Sequence, residues 1–281
     1  MGLSLIFTAF AFAVPAAGAA PAVPAFSHVI VVVFENHEAN AVFGTGEAPT
    51  FDALAKRYAM IDDYQAITHP SLPNYLALVS GSTQGITDNC TDCRAPGRSI
   101  ADTLDAAKKT WKTYAEGIPR PGFTGATSGR YVKKHNPFLY FPSVASNKAR
   151  SARIVGLPQL ATDVRSNQLP TFSLVVPDMC NNMHDCSVRT GDTWLKREIV
   201  PLLSSPTLSR SVVFVTFDEG SSDLGGGGRV AALALGPLVK RGAHATAPTT
   251  HYGLLKTIEV GLELPFLGAS RSVKPIVGIW R

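Results

Sequence analysis

The sequence predicts an α/β fold, a mostly parallel central sheet with helices on both faces in three α/β/α layers, and three features carry that prediction. The run HVIVVVFEN from His28 is continuously apolar and β-branched, as strands buried on both faces are. Two further runs, TFSLVVPD at 171–178 and SVVFVTFDEG at 211–220, match it. Helical patterns at 51–58, 72–80, 99–109, 157–164, 193–203 and 252–261 separate and follow these runs, the alternation that builds crossover-connected parallel sheets.

Ahead of the first strand, residues 1–20 read as a secretory signal peptide. An apolar stretch from Leu3 to Val14 precedes Pro15 and a set of small residues from Ala17 to Ala20, without the usual leading Lys or Arg. The stretch is short for ~30 Å of hydrocarbon, so removal is expected rather than anchoring. The remaining 21–281 then form a single catalytic domain, secreted and extracellular, with no stable membrane insertion. Four cysteines fall into local pairs, Cys90/Cys93 and Cys180/Cys186, which in an exported chain suggest two short-loop disulfides. A half zinc site or a redox pair is the alternative for C-T-D-C.

The formal net charge is +5, with a pI of about 9.1, and it lies in small clusters such as Arg130/Lys133/Lys134 and Lys148/Arg150/Arg153. Aromatic residues are not interleaved with them, so no nucleic-acid partner is expected, although the charge favours anionic substrates. No internal repeat or interdomain linker is evident. Residues 225–228, four glycines, read as a mobile loop, and 116–150, rich in Pro, Gly and aromatics, as an irregular excursion at the site mouth or a lid.

In open parallel sheets ligands collect beyond the carboxyl ends of the strands, and Glu35, Asp178 and Asp218 all stand there. Carboxylates gathered at one edge repel each other unless a cation sits among them. The segment Thr68-His69-Pro70-Ser71-Leu72-Pro73-Asn74-Tyr75 adds a hydroxyl: Ser71 reads as the N-cap of the following helix, with Pro73 in the first turn, where free N–H groups and the helix dipole suit a phosphate. Asn74, in the first turn, offers an additional donor. Taken alone, Ser71 reads as an ordinary helix cap; the company it keeps points to chemistry.

Together, Phe34-Glu35-Asn36-His37, the Thr68–Tyr75 segment, Val176-Pro177-Asp178 and Phe217-Asp218-Glu219-Gly220 resemble the bacterial phosphoesterase family of the alkaline phosphatase superfamily, which holds secreted acid phosphatases and phospholipases C. The match covers roughly 28–260. The resemblance implies one divalent metal ion held by Glu35, Asn36, Ser71, Asp218 and Glu219; an all-oxygen set suits Ca²⁺, Mg²⁺ or Mn²⁺ better than Zn²⁺. It implies Ser71 as nucleophile, a phosphoserine intermediate, and His184 and His251 as general acid and phosphate binder, with His69, Asn74 and Asp178 contacting substrate. The two-metal relatives would use Asp178, His184 and His251 for a second ion. The Asp218-Glu219 pair, in place of Asp-His, favours one metal. His37 ranks lower, and His28, His135 and His244 are left without a role.

The implied activity is hydrolysis of phosphate monoesters, acid phosphatase-like, on a small molecule or a phosphoinositide or phospholipid headgroup. Phospholipase C or phosphodiesterase activity is the alternative, as is a non-catalytic secreted binding protein with this fold. A sulfatase is disfavoured because Tyr75 stands where that chemistry needs Arg, and Ser82 lies in no G-x-S-x-G elbow.

Overall fold

The three β-branched runs lie side by side. In a computed structural model describing residues 23–281, the strand His28–Phe34 sits between Phe172–Val176 and Ser211–Phe217 and runs parallel to both. Past Phe172–Val176 the sheet continues in parallel through Trp111–Ala115 to Ile154–Gly156. On the other side Ala232–Leu235 is antiparallel to both Ser211–Phe217 and Ala59–Ile61, and Ala243–Ala245 closes that edge in parallel. The result is a mostly parallel eight-stranded α/β sheet.

Both faces of the central strands are covered, as continuous apolar runs require. Phe214 and Phe217, three residues apart, point to opposite faces. Phe217 meets Phe34 and Phe51, with Trp194 against Phe34, under the packed helices Pro49–Arg57 and Val188–Glu198. Phe214 meets Trp280, which packs on Phe26 beside the helix His251–Gly261; that helix in turn packs against Ser71–Ser80. Each fully buried aromatic contributes roughly 1.5–3 kcal/mol of transfer free energy.

Helix bounds follow the apolar periodicity except at 193–203, where the helix spans Val188–Glu198 instead. Pro201 supplies no N–H and disfavours helical geometry in Val200, so Val200–Ser204 tightens into a 3₁₀ turn. The strands Ala59–Ile61, Ile154–Gly156 and Ala243–Ala245, three residues each, are too short to show a period.

Residues 116–150 depart from a lid. They form a two-stranded ribbon, the 3₁₀ turns Lys133–His135 and Pro137–Tyr140, and two short helices, with His135 and Phe138–Phe141 buried. The 225–228 glycines are likewise packed rather than free: a Cβ on Gly227 would stand 2.6 Å from the Thr68 carbonyl oxygen. Cys90 pairs with Cys93 and Cys180 with Cys186. The expected leader at 1–20 lies outside the described residues, and among those described no helix is long and apolar enough to cross a membrane.

Candidate active site

Parallel register brings two acidic segments together. Phe34 pairs with Phe217, so Glu35 and Asp218 emerge side by side at the carboxyl edge, and the Asp218 amide donates to the Phe34 carbonyl at 3.0 Å. Asn36 turns the chain with φ +56°, a left-handed conformation that Asn tolerates, and its amide faces Asp218 Oδ1 at 3.4 Å. Glu35, Asp218 and Glu219 are all buried.

The hydroxyl of Ser71 joins them from the helix Ser71–Ser80. Its Oγ donates toward Glu35 Oε2 and Glu219 Oε1, each at 3.1 Å, and the residue is 1% exposed. Ser71 is not the N-cap: extended Pro70 takes that position and Ser71 is the first helical residue, so its hydroxyl turns to the carboxylates instead of the helix amides. Of the first-turn amides, Leu72 N donates to Asn89 Oδ1 at 3.0 Å and Pro73 has none to offer.

Asn74 is wholly buried and clasps the preceding loop, its Oδ1 accepting from Ile67 N and Thr68 N and its Nδ2 donating to Thr68 O. His69 reaches Glu219 Oε2 through Nδ1 at 2.6 Å and the Ser222 carbonyl through Nε2 at 3.0 Å. Asp178 Oδ1 accepts from Cys180 N and Asn181 N, shaping the turn into the second disulfide loop. His251 is 0% exposed between the Tyr64 hydroxyl, 2.9 Å from Nδ1, and the Asp218 carbonyl, 2.6 Å from Nε2, so both ring nitrogens are spent inside the protein. His184 stays partly exposed, with Nδ1 2.7 Å from Asp185 Oδ1 and Nε2 3.5 Å from Lys134 Nζ. His37 Nε2 stands 3.3 Å from the Met183 carbonyl.

Four further residues complete the arrangement. His135 Nε2 is 3.2 Å from Glu35 Oε1 and its ring stacks on Tyr75, whose hydroxyl donates to the same oxygen at 2.5 Å. Asn182, wholly buried, accepts Glu35 N on its backbone carbonyl and His184 N on its side chain. Glu38 accepts from Ser221 N, Ser222 N, Ser222 Oγ and Arg229 N, anchoring the loop after Glu219. Tyr75 already stood in the Thr68–Tyr75 segment, and the sequence signal for His135 is its place beside Lys133 and Lys134 just ahead of the aromatic run Phe138-Leu139-Tyr140-Phe141.

Burial first, and neighbouring charges second, set the protonation. Burial drives Asp218 well above the ordinary carboxylate range, and the charges of Glu35 and Glu219 push the same way. Burial also raises Glu219, against the pull of His69. Burial would raise Glu35 too, but His135 and Tyr75 outweigh it and hold that carboxyl below its usual value. Burial lowers His251 to about 4, so it stays neutral.

This geometry has a deficit that a hard cation would meet. Among the described residues the buried oxygens Asn36 Oδ1 and Asp218 Oδ2 have no hydrogen-bond partner. Both belong to the oxygen set expected for a metal. Among the described residues no three His, Cys, Asp or Glu side chains are spaced to hold a metal ion, and Glu35 Oε1 and Glu219 Oε2 are engaged by Tyr75 and His69. The fit therefore rests on the all-oxygen chemistry of the donors and on these two orphaned atoms.

The model of the Phosphoesterase family matches residues 42–265. A phosphatidylinositol-3-phosphatase of Mycobacterium tuberculosis is 35% identical over 274 residues, which are 95% of this chain and 88% of that protein. An acid phosphatase of Aspergillus fumigatus is 31% identical over 227 residues, 76% of this chain, but the chain spans only about half, 51%, of its length. A solved alkaline phosphatase superfamily protein from Vibrio parahaemolyticus superposes with a TM-score of 0.58 at 13% identity, over 84% of this chain and 66% of that one, a likeness of fold. The chain belongs to the Phosphoesterase family, a phosphoric ester hydrolase built on the alkaline phosphatase superfamily fold.

Proposed function

We propose that the protein hydrolyses phosphate monoesters through a phosphoserine on Ser71. The observation that carries this reading is the placement of one buried hydroxyl 3.1 Å from two buried carboxylates at the carboxyl edge of the sheet. In the first step Ser71 Oγ forms a bond to phosphorus, its proton passes to the adjoining carboxylate, and the ester oxygen leaves. His184, a partly exposed imidazole whose Nδ1 faces Asp185, supplies the proton that the departing alcohol takes up. Water then cleaves the O–P bond of phosphoserine, restoring the serine hydroxyl and releasing phosphate.

Glu35, Asn36, Ser71, Asp218 and Glu219 would hold a single divalent cation, Ca²⁺, Mg²⁺ or Mn²⁺ by donor chemistry, and such an ion when bound neutralises phosphate charge and lowers the pKa of the hydroxyl. His251, Asn74 and His69 act through others: His251 braces the Asp218 carbonyl, Asn74 shapes the 67–70 loop and His69 orients Glu219. The mycobacterial relative named for phosphatidylinositol 3-phosphate supports an inositol phospholipid headgroup as a substrate class. A phospholipase C of the same organism, 27% identical over 62% of this chain, supports diester cleavage less strongly. The leader-like sequence expected at 1–20 and the two disulfides support export. Acid quenching during turnover of p-nitrophenyl phosphate, followed by peptide mapping, should find phosphate on Ser71; label on another residue would refute the mechanism.

A further inference from the structure

The loop closed by Cys180 and Cys186 carries two adjacent asparagines with different partners. Asn181 is partly exposed and donates through Nδ2 to Glu116 Oε2 at 3.0 Å. Asn182 is 0% exposed and reaches three parts of the site. Its carbonyl accepts Glu35 N at 2.9 Å, its Oδ1 accepts His184 N at 2.9 Å, and its Nδ2 stands 3.4 Å from His135 Nδ1. The loop holds it there from outside: Asn182 N donates to the Asp178 carbonyl at 2.8 Å, and Asp178 N donates in turn to Glu116 Oε2 at 3.0 Å.

These contacts fix more than position. A backbone amide only donates, so the side-chain oxygen of Asn182 must face His184 N and its NH₂ group must face His135. That NH₂ group also only donates, so His135 Nδ1 presents its lone pair and the ring carries its proton on Nε2. A doubly protonated ring, or the opposite tautomer, would set Nδ1–H against the asparagine N–H in a place sealed from water, since His135 is 1% exposed. His135 Nε2 stands 3.2 Å from Glu35 Oε1, close but without the alignment of a hydrogen bond, and the ring is stacked on Tyr75. The sign of the partial charge on that nitrogen edge therefore decides whether Glu35 is drawn in or pushed away.

We infer that Asn182 is a positioning residue that joins the two halves of the reaction. Through His135 it keeps an N–H edge toward Glu35 beside the nucleophile, and through the His184 amide it aims the imidazole that protonates the leaving group. The inference rests on the phosphomonoester reading above and adds to it a residue that acts only through its neighbours.

The test pairs two readouts in protein supplied with Mg²⁺: kcat and KM on p-nitrophenyl phosphate and on glycerol 2-phosphate, and the ¹⁵N resonances of the His135 ring, identified by their loss in His135→Gln. In the wild type Nε2 should be the protonated nitrogen. Asn182→Asp keeps an acceptor for His184 N but turns an acceptor toward His135, so the proton should move to Nδ1, and kcat should fall about tenfold or more on both esters alike with KM little changed. Asn182→Leu, which lacks both side-chain contacts, should lose a further factor of about ten on the alkyl ester alone. Asn181→Ala, in the same loop, should stay close to wild type. A proton on Nδ1 in the wild type overturns the inference, and so does an equal fall in Asn181→Ala, which would mark general damage to the loop. The wild-type resonances decide the tautomer even where a variant does not fold. Absence of wild-type turnover on both esters would instead fell the phosphomonoester reading, with the place of the proton still read from the spectrum.

Discussion

Glu38 Oε1 accepts both the amide and the hydroxyl of Ser222, at 3.0 and 2.7 Å. The Ser222 carbonyl accepts from His69, His69 holds Glu219, and Glu219 accepts from Ser71. A carboxylate outside the chemical centre therefore sets the nucleophile's surroundings through four linked contacts. Glu38→Gln replaces one acceptor oxygen by a donor in a nest of donors, where bonds to a charged group contribute roughly 1.5–3 kcal/mol. The expected result is a fall in kcat of at least tenfold with little change in KM, partly restored in Glu38→Asp. A rise in KM alone would show that the loop serves substrate binding instead.

Ser71→Ala removes the attacking oxygen and leaves the helix, which has no Ser71 side-chain cap to lose. Turnover should drop by roughly 10⁴-fold or more, on the scale seen when a catalytic nucleophile is deleted. Circular dichroism and the thermal midpoint should stay close to wild type. Retention of a tenth of the activity would move suspicion to Thr68.

Divalent cations should stabilise the fold, because Glu35, Asp218 and Glu219 are crowded around one hydroxyl with two acceptors unpaired. At a hundredfold excess over Kd the gain is about 2.7 kcal/mol, a rise of a few degrees in Tm. Asp218→Asn should lose that increment, and a chelator should abolish activity without unfolding the chain. Equal Tm shifts in wild type and Asp218→Asn would place the ion elsewhere.

His184→Ala should slow alkyl phosphates by roughly 10²-fold and p-nitrophenyl phosphate far less, since only a poor leaving group needs a proton. Matching losses on both classes would make His184 a phosphate binder.

Stability should fall between about pH 4.5 and 7 because of Glu259. This wholly buried carboxyl accepts from Leu267 N and Ser270 Oγ, and burial pushes it up to about 7, above its ordinary 4.5. The folded chain thus holds a proton that the unfolded chain releases across that window, so raising the pH favours unfolding. The term is on the order of 3 kcal/mol and levels off about one unit above pH 7. Denaturant titrations of Glu259→Gln should lack this slope, and an identical slope in wild type and variant would sink the assignment.

Short-range chemistry made much of this molecule readable from the chain alone. Three β-branched runs read as strands covered on both faces, and parallel strands deliver the residues after them to one edge, so Glu35 and Asp218 followed from pattern. Glu219 came only with the family resemblance, and Asp178, expected at the same edge, closes its own turn instead. Local spacing likewise paired Cys90 with Cys93 and Cys180 with Cys186. Tertiary structure alone decided what surrounds those carboxylates. His135 lies 100 residues from Glu35 in sequence, and Glu38 lies 184 from Ser222; no periodicity links such pairs. It also turned His251 inward, and gave Ser71 to the carboxylates rather than to its own helix, because side-chain direction depends on which neighbours the packed helices and sheet bring within hydrogen-bond reach.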